Sequence, residues 1–389
     1  MRIGYSYHGF CQHIANANVA NTPDSQRLMR MQFVDQLIDQ HGCTVLALQP
    51  QREEAGTLYR IQNACGERER PDIDALFLEW RWPTWKNTLA SDRSGWWTPI
   101  DDLYRAEIEH DWAYQRELIQ YYTIERNVPT FIHDLDYKLT YNDREKIGFE
   151  RKNVFILDPG LDPAVSRSRV SVPNYSNYDP AFIAEFRKIF PPNPNPVLYG
   201  YIGNNYERDE QFEEYYGKPS KTLRKEGVQT VVYGNWINRS PERCDPGTTL
   251  IKYPHIAFPG RVGFSDAMHR LREFGCVTHI GKDANFAQCH VITIRYHESA
   301  LCGVPAFIPA CYKHADILGK QWVVSDSKDV LDRVRYVKGM SLKERLAAVD
   351  GQIESMMIKC RDIGTSVDVR DITRMIVEAV KTCQLQTKI

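Results

Sequence analysis

Short apolar runs separated by helix-length intervals set the rhythm of this chain. In its first half Ile3 to Tyr7, Thr44 to Leu48, Ala75 to Leu78, Pro129 to Ile132 and Val154 to Leu157 read as strands. Between the first two, Leu28, Met31, Val34, Leu37 and Ile38 recur at helical spacing, with Pro23, Asp24 and Ser25 as start signals and Gly42 as the stop. A second helix is expected from about 105 to 126. Strand, loop, helix and strand in succession make a βαβ unit, whose first turn is where doubly wound folds place a ligand.

The rhythm resumes after an interruption. Residues 173–195 are turn-rich apart from Phe182 to Phe190, and Pro191-Pro192-Asn193-Pro194-Asn195-Pro196 suits a stiff linker. A new series of strands then runs Val197 to Gly203, Val228 to Tyr233, His255 to Phe258, Val277 to Ile280, Val291 to Ile294, Pro305 to Ile308 and Trp322 to Val324. From Ser341 onward the chain is helical, with Ile372, Met375, Ile376, Ala379 and Val380 on one apolar face. The pattern predicts an α/β protein of two Rossmann-like, doubly wound domains: residues 1–180, residues 181–365, and a C-terminal helix, 366–389, that packs back on the first domain.

At 389 residues the chain exceeds one ordinary core and suits two domains. No apolar run approaches the roughly 20 residues of a membrane span, and Met1-Arg2-Ile3-Gly4-Tyr5 does not read as a secretory leader. A cytoplasmic location is therefore expected. The ten cysteines form no Cys-x-x-Cys pair and no zinc-type spacing, so they read as buried thiols. A formal net charge of −1 gives no global attraction to nucleic acid, and any such contact must come from a local basic surface. Tyr7-His8-Gly9-Phe10 lacks the Gly-x-Gly-x-x-Gly of a dinucleotide fingerprint, which argues against a redox cofactor.

The segment richest in chemistry is Arg295-Tyr296-His297-Glu298-Ser299-Ala300-Leu301-Cys302-Gly303-Val304-Pro305. It places a carboxylate at an expected helix start and closes the helix with Gly-x-Pro before a strand. Ribose hydroxyls are donors best met by an anionic acceptor, and free N–H groups at a helix start can face a diphosphate. An ordinary buried helix with a Gly cap and a Pro stop would carry the same letters. Arg295, expected at a strand end just before that helix, would stand beside a bound phosphate. Gly203-Asn204-Asn205-Tyr206-Glu207-Arg208 follows the first strand of the second domain, where Arg208 either reaches a diphosphate or is solvated among Glu207, Asp209 and Glu210. In the first domain, Phe131-Ile132-His133-Asp134-Leu135-Asp136 ends a strand with an imidazole and two carboxylates, the groups that take a proton from an attacking hydroxyl. An Asx-type turn is the alternative reading there.

The Glu298 segment resembles the donor-binding signature of GT-B glycosyltransferases, a Glu before Ala-x-x-Gly-x-Pro, and Phe258-Pro259-Gly260-Arg261-Val262-Gly263 is similar to that family's segment beside the base. His133 and Asp134 in one domain, with His297 or Glu298, Cys302 and Gly303 in the other, resemble more narrowly the phage α-glucosyltransferases that act on hydroxymethylated cytosine in DNA. The likeness is confined to short motifs, and the family's basic pair after the first strand of the second domain is replaced by Asn204 and Arg208 in imperfect register. The resemblance implies a GT-B fold with two domains facing a central cleft, a nucleotide-sugar donor such as UDP-glucose, no tightly bound cofactor and no required divalent metal. It implies Asp134 and His133 at the reacting centre. Gly203, Asn204, Arg208, Arg261, Arg295, His297, Glu298 and Ser299 would lie around the donor. Gly9, Phe10, Glu79, Arg81, Trp82 and Asp136 would lie on the acceptor side. A phage origin would put the protein in the host cytoplasm.

The acceptor turns on tryptophan. Trp80, Trp82, Trp85, Trp96 and Trp97 crowd together with Arg81, Lys86 and Arg93, a composition suited to unstacked bases beside phosphates. Lys218, Lys221, Arg224 and Lys225 form a second basic cluster. The same tryptophans would stack on sugar rings of an oligosaccharide or lipid-linked glycan, or pack domains together. A nucleotide-sugar epimerase or a non-catalytic nucleotide-sugar-binding protein stays open as a different class.

Overall fold

The computed structural model describes residues 1–6, 27–48, 60, 62–63, 70–80, 112–134, 139, 141–161, 169–205, 208–236, 251–281 and 292–386. They form two compact units. The described residues of the first lie within 1–174 and 364–389, those of the second within 175–363.

The first unit is built on a parallel sheet of order β3-β2-β1-β4-β5-β6-β7. Its strands are β1 (Arg2–Ser6), β2 (Thr44–Ala47), β3 (Gln62–Asn63), β4 (Ala75–Trp80), β5 (Thr130–Asp134), β6 (Val154–Asp158) and β7 (Arg169–Ser171). Every residue of β4 and β5 is buried, as expected of central parallel strands covered on both faces. Helix α1 (Arg27–Asp39) covers one face through Met29, Phe33 and Leu37, with the tilted rings of Phe33 and Phe77 4.7 Å apart between centroids. Its buried stripe also holds Arg30 and Gln32 in place of the expected Met31 and Ile38. The opposite face is covered by α2 (112–118), which continues as a π-helical turn Ile119–Glu125, and by α3 (Tyr141–Ile147).

The second unit repeats the plan with the parallel order β10-β9-β8-β11-β12-β13. Its strands are β8 (Leu198–Ile202), β9 (Gln229–Tyr233), β10 (Ile256–Gly260), β11 (Phe274–Thr278), β12 (Ala306–Pro309) and β13 (Val323–Val324). Helix α4 (Pro180–Ile189) starts on Asp179, whose side chain accepts from Ala181 N at 2.8 Å, with Pro180 preset at the first position. A helical stretch, α5, runs through Asp209–Phe212, the π-helical turn Glu213–Gly217 and Lys218–Lys225. Then come α6 (Phe264–Leu271), α7 (Ile294–Leu301), α8 (Ser327–Lys338) and α9 (Leu342–Asp362). A reciprocal capping box between Ser341 and Glu344 opens α9. The chain then returns to the first unit, where α10 (Val369–Gln386) packs on α1.

Three expectations need correction. The proline-rich stretch 191–196 belongs wholly to the second unit, where the Asn193 and Pro194 carbonyls accept from Arg345 on α9. Val291 to Ile294 is no strand among the described residues, because Ile294 opens α7. The thiols of Cys43, Cys276, Cys302 and Cys360 are buried, but Cys311 is exposed. Among the described residues no helix is long and apolar enough to cross a membrane.

Candidate functional site

In both sheets the strand order reverses beside the unit's first strand, between β1 and β4 and again between β8 and β11. At such a switch point the flanking loops diverge and leave a crevice at the strand C-termini.

In the second unit that edge is a row of glycines. Gly203 follows β8, Gly234 follows β9 and Gly260 closes β10, tied together by Gly203 N–H to Tyr233 O (3.0 Å) and Gly234 N–H to Gly260 O (2.8 Å). The packing leaves no room for side chains at two of them. A Cβ on Gly234, held at φ +128°, would lie 2.2 Å from the Gly203 carbonyl oxygen. One on Gly203 would lie 2.6 Å from Arg295 Nη2 and 2.9 Å from Tyr201 Oη. Bare backbone is thus brought directly against a guanidinium. Arg295 donates from Nε to Ile202 O at 2.7 Å and lies over the Tyr201 ring, 5.4 Å from its centroid. The loop is braced by Trp236 Nε1–H to Gly203 O (2.7 Å), Asn235 N–H to the Asn204 side chain (2.7 Å), and a bond from the Arg208 guanidinium to Asn204 O. Arg208 is buried, against the expectation that it could be solvated. Arg261 stands exposed just after Gly260.

The segment singled out in the sequence lies beside this row. Helix α7 begins at Ile294, so Arg295 is its second residue and Glu298 its fifth, one turn inside the helix and not at its start. Spacing of three and four residues puts Arg295, Glu298 and Ser299 on neighbouring positions of one helix face. The helix ends as expected: Gly303 at φ +68° completes a Schellman cap, with Val304 N–H to Ser299 O at 2.9 Å and Gly303 N–H to Ala300 O at 3.1 Å. Ser299 Oγ bonds His279 Nε2 at 2.9 Å, and His297 Nδ1 bonds the Tyr178 hydroxyl at 2.5 Å. His279 follows β11, and its pKa is pushed well below the ordinary imidazole value by burial, with the Arg295 charge second. It stands neutral at pH 7.

At the first unit's switch point a buried carboxylate occupies the strand ends. Glu79 takes two charge-assisted bonds from Arg30, Nε and Nη2 each at 2.7 Å, and a bond from the Tyr5 hydroxyl. The register Glu79 to His133 places His133 on that same face, its ring edge-on to Phe77 with centroids 6.0 Å apart. Alternation along β5 sends the next side chain to the other face. Asp134, registered with Trp80, accepts from Leu139 N–H at 3.1 Å. His133 and Asp134 therefore do not converge on one side of the sheet. Trp80 is fully buried in the core with Leu78, Ile132 and Leu118, so it is no part of an exposed stacking surface. Gly9, Phe10, Arg81, Trp82 and Asp136 lie outside the described residues, as do Trp82, Trp85, Trp96 and Trp97 of the tryptophan cluster.

The basic cluster of α5 sits elsewhere. Arg224 and Lys225 end the helix just before β9 begins, at the sheet edge opposite the glycine row, and Lys218 is paired with Glu214. Sequence reasoning missed Tyr5, Arg30, Gly234 and His279. Only Gly234 carried a signal, as a glycine directly after a strand.

No family model matches the chain, and no curated protein matches it. Solved structures do. HepE of Anabaena in complex with UDP-glucose matches with a TM-score of 0.55 at 10% identity, over 98% of this chain and 100% of that one. The DNA-modifying enzyme β-glucosyltransferase, studied with and without uridine diphosphoglucose, matches with a TM-score of 0.54 at 13% identity, over 98% and 100%. T4 phage BGT in complex with UDP and Mn2+ gives 0.53 at 14% identity, over 98% and 99%. This chain has the GT-B fold. In GT-B terms, the glycine row and α7 lie at the switch point of the C-terminal sheet, and the Arg30–Glu79 pair at that of the N-terminal sheet. The phage neighbour is a β-glucosyltransferase, whereas the sequence motifs resembled the α-enzymes.

Proposed function

We propose that this chain is a glycosyltransferase that moves a hexose from a nucleotide-diphosphate donor, UDP-glucose, to the hydroxymethyl group of a modified pyrimidine in DNA. The observation that carries the reading is the Gly203–Gly234 contact with the Arg295 guanidinium packed against it. Backbone without side chains admits a diphosphate to van der Waals distance, and a fixed cation neutralises it. UDP-glucose in two GT-B neighbours and the DNA-modifying role of one support the donor and the acceptor respectively.

In this reading Glu298 accepts from the ribose hydroxyls, and His297 and Ser299 hold α7 in place through Tyr178 and His279. Gly203, Asn204 and Arg208 shape the loop over the diphosphate, with Arg295 against it and Arg261 beside the base. The acceptor oxygen forms a bond to the anomeric carbon as the bond from that carbon to the phosphate oxygen breaks. The nucleoside diphosphate leaves with the electron pair, stabilised by Arg295 and Arg208. The acceptor proton passes to Asp134. Glu79 is the poorer base, because its carboxylate already carries the Arg30 guanidinium. We assign no step to a metal: among the described residues no group of three or more His, Cys, Asp or Glu is placed to hold one.

The test is incubation with labelled nucleotide sugars and DNA containing hydroxymethylcytosine or hydroxymethyluracil, beside unmodified DNA and oligosaccharides, with EDTA or Mn2+. Label is expected on hydroxymethylated DNA alone. Label only on oligosaccharide rejects the DNA acceptor, and donor binding without any turnover rejects the enzyme. Asp134→Asn is expected to lower transfer by roughly 10²–10⁴-fold while calorimetry shows unchanged donor affinity.

A further inference from the structure

The sheet edge opposite the glycine row carries a second feature of the second unit. A cavity of about 220 Å³ opens between the starting ends of β8 and β11 and helices α8 and α9. Its walls combine an aliphatic side, made by Pro196, Leu198, Val228, Val334, Val337 and Met340, with a polar side that includes Asn195. Two cations also line it. Lys338 is exposed, and its ammonium donates to the backbone carbonyl of Glu226. Arg345, by contrast, is only 1% exposed.

Arg345 is a buried charge without a counter-charge. Its Nη2 donates to the carbonyls of Asn193 and Pro194, which are neutral, while its Nε, also buried, has no acceptor. Among the described residues no carboxylate pairs with it. Cys276, which shares the cavity lining, supplies no thiolate, because burial pushes its thiol well up. A guanidinium does not deprotonate in a protein, so this charge is held at the cavity wall by neutral carbonyls alone and is partly desolvated there. An anion entering the cavity would offset that desolvation, and the aliphatic side favours an anion with an apolar body over a fully hydrated one.

We infer that this cavity is a binding site for a small organic monocarboxylate, its carboxylate held by Arg345 with Lys338 at the rim and its apolar body against the valines of α8. The site lies at the opposite edge of the sheet from the glycine row and stands independently of the glycosyl-transfer reading. It is tested on the full chain with benzoate, by thermal unfolding and isothermal titration calorimetry, beside benzamide, chloride and inorganic phosphate. Benzoate is expected to bind saturably and raise Tm, with at least tenfold weaker binding of the other three. Arg345→Gln should abolish the benzoate response. Should that variant not fold, Lys338→Glu at the exposed rim still should weaken benzoate at least fivefold. Absence of saturable benzoate binding overturns the inference, as does equal binding of benzamide, chloride or phosphate, or unchanged benzoate affinity in Lys338→Glu.

Discussion

Gly203 shows how much one hydrogen atom can decide. Any Cβ there meets Arg295 Nη2 at 2.6 Å and Tyr201 Oη at 2.9 Å on a backbone held at φ +157°, so the loop and the guanidinium must both shift. Gly203→Ala is expected to leave the circular dichroism spectrum intact and to weaken nucleotide-sugar binding at least tenfold by calorimetry. Unchanged affinity would remove the diphosphate from this loop. His279 supplies a pH signature. Its folded pKa lies below its ordinary value of 6.5, so the unfolded chain takes up the proton first as pH falls. Stability is therefore full above about pH 6.5 and declines below it, by up to about 1.4 kcal/mol per pH unit. His279→Gln should flatten the fall of Tm between pH 6.5 and 5. An identical acid limb in the variant would assign the effect to another group.

Among elements, α1 and β4 are joined by more than apolar packing. The Arg30–Glu79 pair is buried on both sides, where removing one partner strands the other's charge. Arg30→Met or Glu79→Leu should each cost about 3–5 kcal/mol in denaturant unfolding, whereas the double change Arg30→Met with Glu79→Leu should recover most of it. Additive losses would show that the two do not act as a pair. This contact was not legible in the sequence, because a charged residue on an apolar stripe reads as a solvated edge until its partner, 49 positions away, is known. The central strands were legible because β4 opens on the apolar run Ala75 to Leu78 and β5 carries Phe131 and Ile132 just after Pro129, and the α7 terminus because Gly303-x-Pro305 marks a helix stop. The α7 start was not: Val291 to Ile294 is β-branched at all four positions, yet so short a run fits a strand or a helix entry equally well. The edge strands β3 and β7, two and three residues long, are too brief to show a period. The π-helical turns carry no sequence period of their own.

At the scale of the whole molecule, two sheets of one plan and their switch points follow from alternation alone, which needs only counting. The return of the chain to its first unit is more specific. The described part of residues 364–389 belongs with the first unit, and α10 packs on α1, with His41 Nε2 and Thr373 Oγ1 3.1 Å apart. A chain cut after Ile363 is expected to lose hydrogen-exchange protection in β1, β2 and α1 while β8, β11 and α7 keep theirs. Equal loss in both sets would mean the two units unfold together.

That return has a temporal meaning. A ribosome works from the N-terminal side, so the second unit's described residues have all been made before α10 exists to complete the first. The half of the protein translated earliest must wait, with the face of α1 that receives α10 uncovered, until the half translated later is finished. Nascent chains stalled before residue 364 should on this ground be protease-resistant in the later half and open to cleavage in the earlier one.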